Sequence, residues 1–177
     1  MSPPIESALV ILAPEAEPLV KPFRDRYDPS AAQGVPAHFT ILYPFKPPSE
    51  LTAAVVGTLN DLFLRFPPFT IALSELRRFP EVLYLTPRPT EPIKQLIQAT
   101  AERFPETPPY KGEFAEVIPH LTIAQVNDSQ RLNAITADFQ RAAQDRLPLQ
   151  VNVSEVTLMD NESGLWRVRA AFRLAPR

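Results

Sequence analysis

The sequence contains no cysteine and only four glycines among its 177 residues. Without cysteine, the chain has no disulfide, no thiolate nucleophile and no cysteine-ligated metal site. The glycines are also too far apart to form the glycine-rich loops that bind dinucleotides or nucleoside triphosphates, or the G-x-S-x-G turn of serine hydrolases. These absences exclude several large classes of enzyme.

Long apolar runs and an excess of positive charge are also missing. No stretch approaches the ~20 apolar residues that span a bilayer, and residues 1–7 lack the basic segment of a secretory signal. We therefore expect a cytoplasmic protein that does not associate with membranes. The formal net charge of −2 and the pI near 5.7 provide no general field to attract long nucleic acids, so such a substrate must be held locally.

Proline is abundant, with 22 residues, and the remaining composition is that of a globular protein, 45% hydrophobic and 21% charged. A chain of this length is sufficient for one domain with a sizeable core. We expect residues 1–177 to form a single domain.

Hydrophobic periodicity predicts strands that alternate with helices. The predicted strands cover residues 8–13, 38–42, 69–76, 82–86, 120–125, 149–159 and 165–174, and the predicted helices cover residues 15–27, 49–65, 90–104 and 129–146. Ser49 is the predicted N-cap of the second helix. The third and fourth strands, and likewise the last two, are expected to form hairpins. Residues 105–119 show no clear periodicity and are either a functional lid or a simple connector.

The second half of the sequence repeats the first. A His-x-Thr-Ile strand precedes a helix and then a Ser-Glu-apolar strand in both halves, with 36 residues from His38 to Ser74 and 34 from His120 to Ser154. Such a repeat predicts two related lobes, each of which contributes one histidine strand to a shared cleft. In this arrangement, residues 8–27 of one lobe correspond to residues 82–104 of the other.

The doubled His-x-Thr motif presents paired acid–base groups. Because alternate strand residues share a face, His38 lies beside Thr40 and His120 beside Thr122, while the intervening apolar side chains face a core. Imidazole has a pKa near neutrality, so one histidine removes a proton while the other donates one. The threonine hydroxyls are suited to donate hydrogen bonds to phosphate oxygens without a metal ion.

The histidines have two alternative roles, a structural one and metal binding. Both histidines precede x-Thr, which is an improbable coincidence if their role is purely structural. A metal site is disfavoured because no His-x-His or H-E-x-x-H motif or nearby carboxylate cluster completes a set of ligands. We expect neither a metal ion nor another cofactor.

The two motifs, His38-Phe39-Thr40-Ile41 and His120-Leu121-Thr122-Ile123, resemble those of the two-histidine (2H) phosphoesterase superfamily, in particular its 2′-5′ RNA ligase-like branch. The resemblance implies a bilobal α+β fold with a pseudo-twofold axis, in which two small antiparallel sheets face a central cleft and the helices lie outside. It also implies metal-free opening of 2′,3′-cyclic phosphates, with 2′-5′ ligation as a possible reverse reaction. By the same resemblance, the two histidines act as acid and base, in either order, and the two threonines bind the phosphate.

Further side chains are candidates for substrate contact. They are the aromatic residues Tyr43, Phe45, Tyr84, Tyr110 and Trp166, for base stacking, and the basic residues Lys46, Arg78, Lys111 and Arg167, for phosphate. The alternatives are that the aromatic rings belong to the core and that the charges are solvated at the surface.

The expected partner is a small nucleotide or an RNA 3′ end, bound by a monomer that needs no protein partner. Gln125 stands where RNA-processing relatives often carry a basic residue, so both substrate classes stay open. Two other functions also stay open. One is a nucleotide-binding module without turnover, and the other is an interaction protein with vestigial motifs.

Overall fold

The computed structural model describes residues 2–176, which form strands, helices and three short 3₁₀ turns. The strands are β1 (Ser7–Leu12), β2 (His38–Leu42), β3 (Phe69–Arg78), β4 (Val82–Arg88), β5 (Leu121–Gln125), β6 (Leu149–Val153), β7 (Glu155–Asp160) and β8 (Arg167–Arg173). The helices are α1 (Glu17–Tyr27), α2 (Pro29–Ala32), α3 (Ala53–Phe63), α4 (Glu91–Arg103) and α5 (Ser129–Ala143), and the 3₁₀ turns cover Pro14–Ala16, Pro48–Glu50 and Pro109–Gly112. The predicted alternation of strands and helices is confirmed.

Two helix starts show how local chemistry sets the boundaries. Thr52, and not the predicted Ser49, caps α3, and its hydroxyl accepts from the backbone N–H of Val55 at 3.2 Å. Ser49 lies instead in a 3₁₀ turn, which ends at Leu51 with a non-helical ψ of 67°, so the α-helix begins only after Thr52. Asp28 ends α1 and caps the short helix α2, which lies between the predicted helix 15–27 and the predicted strand 38–42.

All eight strands belong to one antiparallel sheet of order β6-β3-β4-β5-β2-β1-β7-β8. The two predicted sheets are its two halves, one from β6 to β5 and one from β2 to β8. They meet where Phe39 of β2 pairs with Leu121 of β5. The two predicted sheets are thus joined into one, because the two histidine strands β2 and β5 pair directly with each other.

The sheet must curl strongly. β6 pairs with β3 at one end of the strand order and β7 pairs with β1 near the other end, yet only Ser154 separates β6 from β7. The predicted single strand 149–159 is therefore two strands, and only β7 forms the hairpin with β8. Ser74, the counterpart of Ser154, lies at the register shift of β3, where pairing with β6 ends and pairing with β4 continues.

The duplication predicted from the sequence organises the fold. β1 pairs with β2 in one half, and β4 pairs with β5 in the other. Helices α1, α3, α4 and α5 bury apolar side chains against one face of the sheet, in one core with Phe39 and Leu121. None of the helices in residues 2–176 is long and apolar enough to cross a membrane. The α+β fold with outer helices is confirmed, and it leaves the other sheet face free for a site.

Candidate active site

The register between β2 and β5 brings the two His-x-Thr motifs together. Phe39 and Leu121 are fully buried at 0% exposure and face the helices. Continuing the antiparallel pairing from them places His38 opposite Thr122 and Thr40 opposite His120 on the other face. These four side chains are half-buried and line one cavity. The structure therefore brings together the four residues that the sequence predicts.

The two imidazoles are held in the same way. Nδ1 of His38 lies 2.7 Å from the carbonyl oxygen of Pro36, and Nδ1 of His120 lies 2.7 Å from that of Ile118. A carbonyl only accepts hydrogen bonds, so Nδ1 carries the proton and donates it in both rings. In the neutral rings, Nε2 then has a free lone pair. Each histidine is thus oriented as a proton acceptor that can return the proton after a reaction step.

Burial disfavours the charged form of both histidines. Desolvation lowers the pKa of His38 to about 4. The hydrogen bond to Pro36 raises this pKa in part, and the nearby charge of Arg24 lowers it by a smaller amount. Desolvation also lowers the pKa of His120 below its usual 6.5, opposed by the hydrogen bond to Ile118. A bound phosphate would raise both pKa values, because its negative charge favours imidazolium.

The cavity has a volume of about 510 Å³ and is lined by several predicted contact residues besides the motifs. Tyr43, Tyr110 and Trp166 are among them, with Tyr43 at 6.3 Å from Tyr110 and 6.2 Å from Trp166 between ring centroids. The Tyr43 hydroxyl donates to a carboxylate oxygen of Glu6 at 2.6 Å. Burial and this hydrogen bond raise the pKa of Tyr43 to about 12, so its hydroxyl stays neutral. Three aromatic rings therefore line the cavity together with the motif residues.

Tyr110 adopts an unusual backbone conformation. Its φ of 50° and the φ of 57° at Lys111 lie in the left-handed region, which is uncommon for residues other than glycine. The backbone N–H of Tyr110 donates to the carbonyl of Tyr43 at 2.6 Å. Burial raises the pKa of the Tyr110 hydroxyl, opposed by a hydrogen bond with the Thr40 side chain. The loop of residues 105–119 thus reaches the first motif through this tyrosine.

Other candidate contacts lie elsewhere. Phe45 points into the core, where it is only 4% exposed and packs edge-to-face on Phe104 at 5.0 Å between ring centroids. Lys111 is exposed and lies outside the cavity. Tyr84 is 5% exposed and packs beside His120 at 5.5 Å between centroids. Lys46 pairs with Glu106, Arg78 bonds Asn133 and Arg167 is exposed on β8. None of the described residues that line the cavity is lysine or arginine.

One wall of the cavity, which α2 and its flanks form, is not predicted by the sequence. Asp28, Ser30 and Gln33 line it. Behind them, the buried guanidinium of Arg24 donates to Asp28 at 3.0 Å, to the Ser30 hydroxyl at 3.1 Å and to the Val35 carbonyl at 2.9 Å. The i, i+4 spacing of Arg24 and Asp28 was the available signal, but it does not distinguish a buried pair from an exposed one. Gln125 borders this cavity and two neighbouring cavities.

Known proteins share both the sequence pattern and the fold. The sequence model of the 2′-5′ RNA ligase superfamily matches residues 12–165. Proteins named "Putative phosphoesterase" from Bacillus thuringiensis (strain Al Hakam) and Bacillus anthracis (strain A0248) are each 29% identical over 167 residues, which cover 85% of this chain and 86% of theirs.

Solved structures show the same fold. E. coli LigT in complex with 3′-AMP aligns with a TM-score of 0.61 at 18% identity, over 97% of this chain and 99% of that one. The protein TT0787 of Thermus thermophilus aligns with a TM-score of 0.61 at 17% identity, over the same shares. The family match covers both histidine motifs, and the fold alignments extend over almost the whole chain. The chain therefore belongs to the 2′-5′ RNA ligase superfamily of 2H phosphoesterases.

Proposed function

We propose that this protein is a metal-independent phosphodiesterase that opens 2′,3′-cyclic phosphates at RNA ends or on small nucleotides. The observation that carries the proposal is the matched pair of imidazoles. Both are anchored through Nδ1 at 2.7 Å to a carbonyl two residues earlier, and both border one cavity with two threonine hydroxyls. Acid–base catalysis on one phosphate needs two such proton-transfer groups, one for the attacking oxygen and one for the leaving oxygen.

The proposed reaction is an in-line displacement at phosphorus. Nε2 of one histidine takes a proton from water as the water oxygen attacks phosphorus, and the other histidine, protonated, gives its proton to the departing 2′ or 3′ oxygen. Negative charge builds on the non-bridging oxygens, where the hydroxyls of Thr40 and Thr122 donate hydrogen bonds. With the 5′-hydroxyl of a second nucleotide in place of water, the same displacement would break the bond from phosphorus to the 3′ oxygen, which takes up the proton, and leave a 2′-5′ linkage.

The cavity supports a small nucleotide or a chain end as substrate. Its volume of about 510 Å³ is within the range of small-molecule sites. E. coli LigT, a relative in fold, has been solved with 3′-AMP and with NADP⁺. Both histidines and both threonines come from one chain, so a monomer is sufficient for the proposed reaction.

The decisive experiment measures hydrolysis of 2′,3′-cyclic nucleotides and of RNA with a 2′,3′-cyclic phosphate end, with EDTA present. His38→Ala and His120→Ala should each lower turnover by ~10²–10⁴-fold, because each removes one proton-transfer group. Circular dichroism and thermal unfolding of each variant would show that the fold is intact. Wild-type turnover in either variant would refute the proposal.

A nucleotide-binding module without turnover is the second candidate. The lowered pKa values of both histidines favour it, because few imidazolium groups are then present at neutral pH to act as the acid. Tight binding of 3′-AMP by the wild type, together with no turnover of either class of cyclic substrate, would support this function over the first.

A further inference from the structure

A cavity of about 380 Å³ adjoins the candidate active site where β5 ends. It shares Asp28, Pro29 and Gln125 with the central cavity, so the two are continuous. Two arginines, Arg26 at the end of α1 and Arg131 at the start of α5, line it, and we call it the arginine cavity. A ligand that extends from the histidines past Gln125 therefore meets two guanidinium groups.

The two guanidinium groups lie over one aromatic ring. The Cζ atom of Arg26 is 5.9 Å from the centroid of the Tyr27 ring, and that of Arg131 is 5.5 Å from it. Tyr27 is itself partly buried against the core. An arginine stacked on a ring keeps its N–H donors free, because the ring contacts only the face of the guanidinium. Tyr27 thus brings together two arginines from separate helices and leaves their donors available.

Neither arginine has a carboxylate partner. The ion pairs within residues 2–176 include neither Arg26 nor Arg131. The carboxylates on the same wall are already paired, Asp25 with the lysine one turn earlier on α1 and Asp28 with the buried arginine behind it. Asp128 caps α5 and accepts from backbone N–H groups of its first turn. The cavity therefore presents two guanidinium groups that an anionic ligand would neutralise.

The other cavity that borders Gln125 has the opposite charge. Glu81 and Glu116 line it, and none of its described lining residues is lysine or arginine. Carboxylates repel a phosphate, whereas guanidinium groups attract it and donate hydrogen bonds to its oxygens. A chain of phosphodiesters that leaves the histidines is therefore favoured on the side of the arginine cavity.

The direction of an RNA chain decides which phosphates reach the arginines. A strand that ends in a 2′,3′-cyclic phosphate continues only from its 5′ oxygen, so all its other phosphates lie upstream of the one between the histidines. Gln125 lies three residues beyond Thr122 on β5, which is about 10 Å along the strand. A nucleoside 2′,3′-cyclic phosphate has no second charge to place there, whereas an RNA chain has its upstream phosphodiesters.

We propose that Arg26 and Arg131 bind an upstream phosphodiester of an RNA chain whose 3′-terminal cyclic phosphate lies between His38 and His120. The inference rests on the proposed function and adds to it the substrate class, RNA ends in preference to free cyclic nucleotides. Because the contact is to the backbone phosphate, it carries no preference for a base. It weakens with salt, since a bound phosphate releases counterions.

The test compares a four-uridine RNA that ends in a 2′,3′-cyclic phosphate with uridine 2′,3′-cyclic phosphate. At low salt, the wild type should favour the RNA in kcat/KM by ~10-fold or more, the scale of one charge-assisted hydrogen bond. Arg26→Gln and Arg131→Gln should each reduce this preference several-fold, mainly through a higher KM for the RNA, and should affect the mononucleotide much less. Each variant should also make the preference less sensitive to salt, because one phosphate contact is lost.

Arg103→Gln is the matched control. Arg103 is also exposed, and its guanidinium lies over the Phe104 ring at 5.5 Å from the centroid, but it borders neither the central cavity nor the arginine cavity. This variant loses the same charge and should keep the full preference for RNA. An equal loss of preference in Arg103→Gln would assign the effect to overall charge and overturn the inference.

A binding measurement separates this inference from the proposed function. Calorimetric titration with a four-uridine RNA that ends in a 3′-phosphate and with uridine 3′-monophosphate gives the same comparison without turnover. A preference for the RNA that Arg26→Gln and Arg131→Gln weaken supports the phosphate contact even if no cyclic phosphate is hydrolysed. Equal affinities for the two ligands, or a preference that both variants leave intact, would overturn it.

Discussion

Phe39 of β2 pairs with Leu121 of β5 where the two halves of the sheet meet. This pair makes the two histidines diagonal neighbours on the opposite face, at a separation of about 7–8 Å between α-carbons. The two rings are close enough that a charge on His120 lowers the pKa of His38. The buried pair therefore sets the geometry of the site, although neither side chain faces the cavity.

The threonine hydroxyls should contribute to the rate. Thr40→Val and Thr122→Val keep the shape of the side chain but remove the donor to the charged oxygens, which should lower kcat by roughly 10–100-fold. The measurement is steady-state hydrolysis of a 2′,3′-cyclic nucleotide. Thr→Ser at the same positions keeps the hydroxyl and should retain most of the activity. Valine variants with wild-type kcat would remove the threonines from the mechanism.

The histidine pKa values can be measured directly, because the chain has only two histidines. NMR titration should place the pKa of His38 near 4 and that of His120 below 6.5. His120→Ala leaves a single imidazole and assigns the signals. Inorganic phosphate should move both midpoints to higher pH, because an anion favours imidazolium. An unchanged midpoint with phosphate present would argue against an anion between the rings.

The same shift makes stability depend on pH. Between pH 6.5 and about 4 the unfolded chain binds a proton at residue 38 that the folded chain does not, so the free energy of unfolding falls as the pH falls through this window. Urea unfolding at several pH values should show this decrease in the wild type and a smaller decrease in His38→Ala.

The buried ion pair between Arg24 and Asp28 should contribute more to the free energy of unfolding than the exposed ion pair between Lys21 and Asp25. Arg24→Ala leaves the carboxylate of Asp28, 5% exposed, without its main partner and should lower the free energy of unfolding by ~3–5 kcal/mol. Lys21→Ala breaks the exposed i, i+4 pair with Asp25 and should cost less than ~1 kcal/mol. Urea unfolding of both variants at pH 7 gives the comparison, and equal losses would contradict it.

Two glycine-to-alanine changes should act in opposite directions. Gly34 has a φ of +99°, and a β-carbon there would lie 3.0 Å from the Trp166 carbonyl oxygen, so Gly34→Ala should destabilise by ~1–2 kcal/mol. Gly57 lies inside α3 with nothing within 4 Å of an added β-carbon, so Gly57→Ala should stabilise by about 0.5–1 kcal/mol. Thermal unfolding measures both. A change of the same sign in the two variants would be inconsistent with these backbone conformations.

Much of the fold follows from local patterns. The alternation of His38 and Thr40 with buried Phe39 and Ile41 comes from strand geometry alone, and the order of elements comes from apolar periodicity. The predicted cap at Ser49 was wrong because the backbone leaves the helical conformation at Leu51, with a ψ of 67°. Thr52, three residues later, is an equally good cap by residue type, and only the backbone conformation decides between the two. The position of Phe45 in the core could not be predicted either, since an aromatic ring after a motif can face a core or a cavity.

The sequence by itself determined the two His-x-Thr motifs and the duplicated order of elements. Each depends on residue type and spacing along one strand, which the linear chain records. Only the tertiary structure decided that the two halves join in one curled sheet and that Arg24 lies buried behind the cavity wall. These features depend on contacts between residues far apart in sequence, which no local pattern specifies.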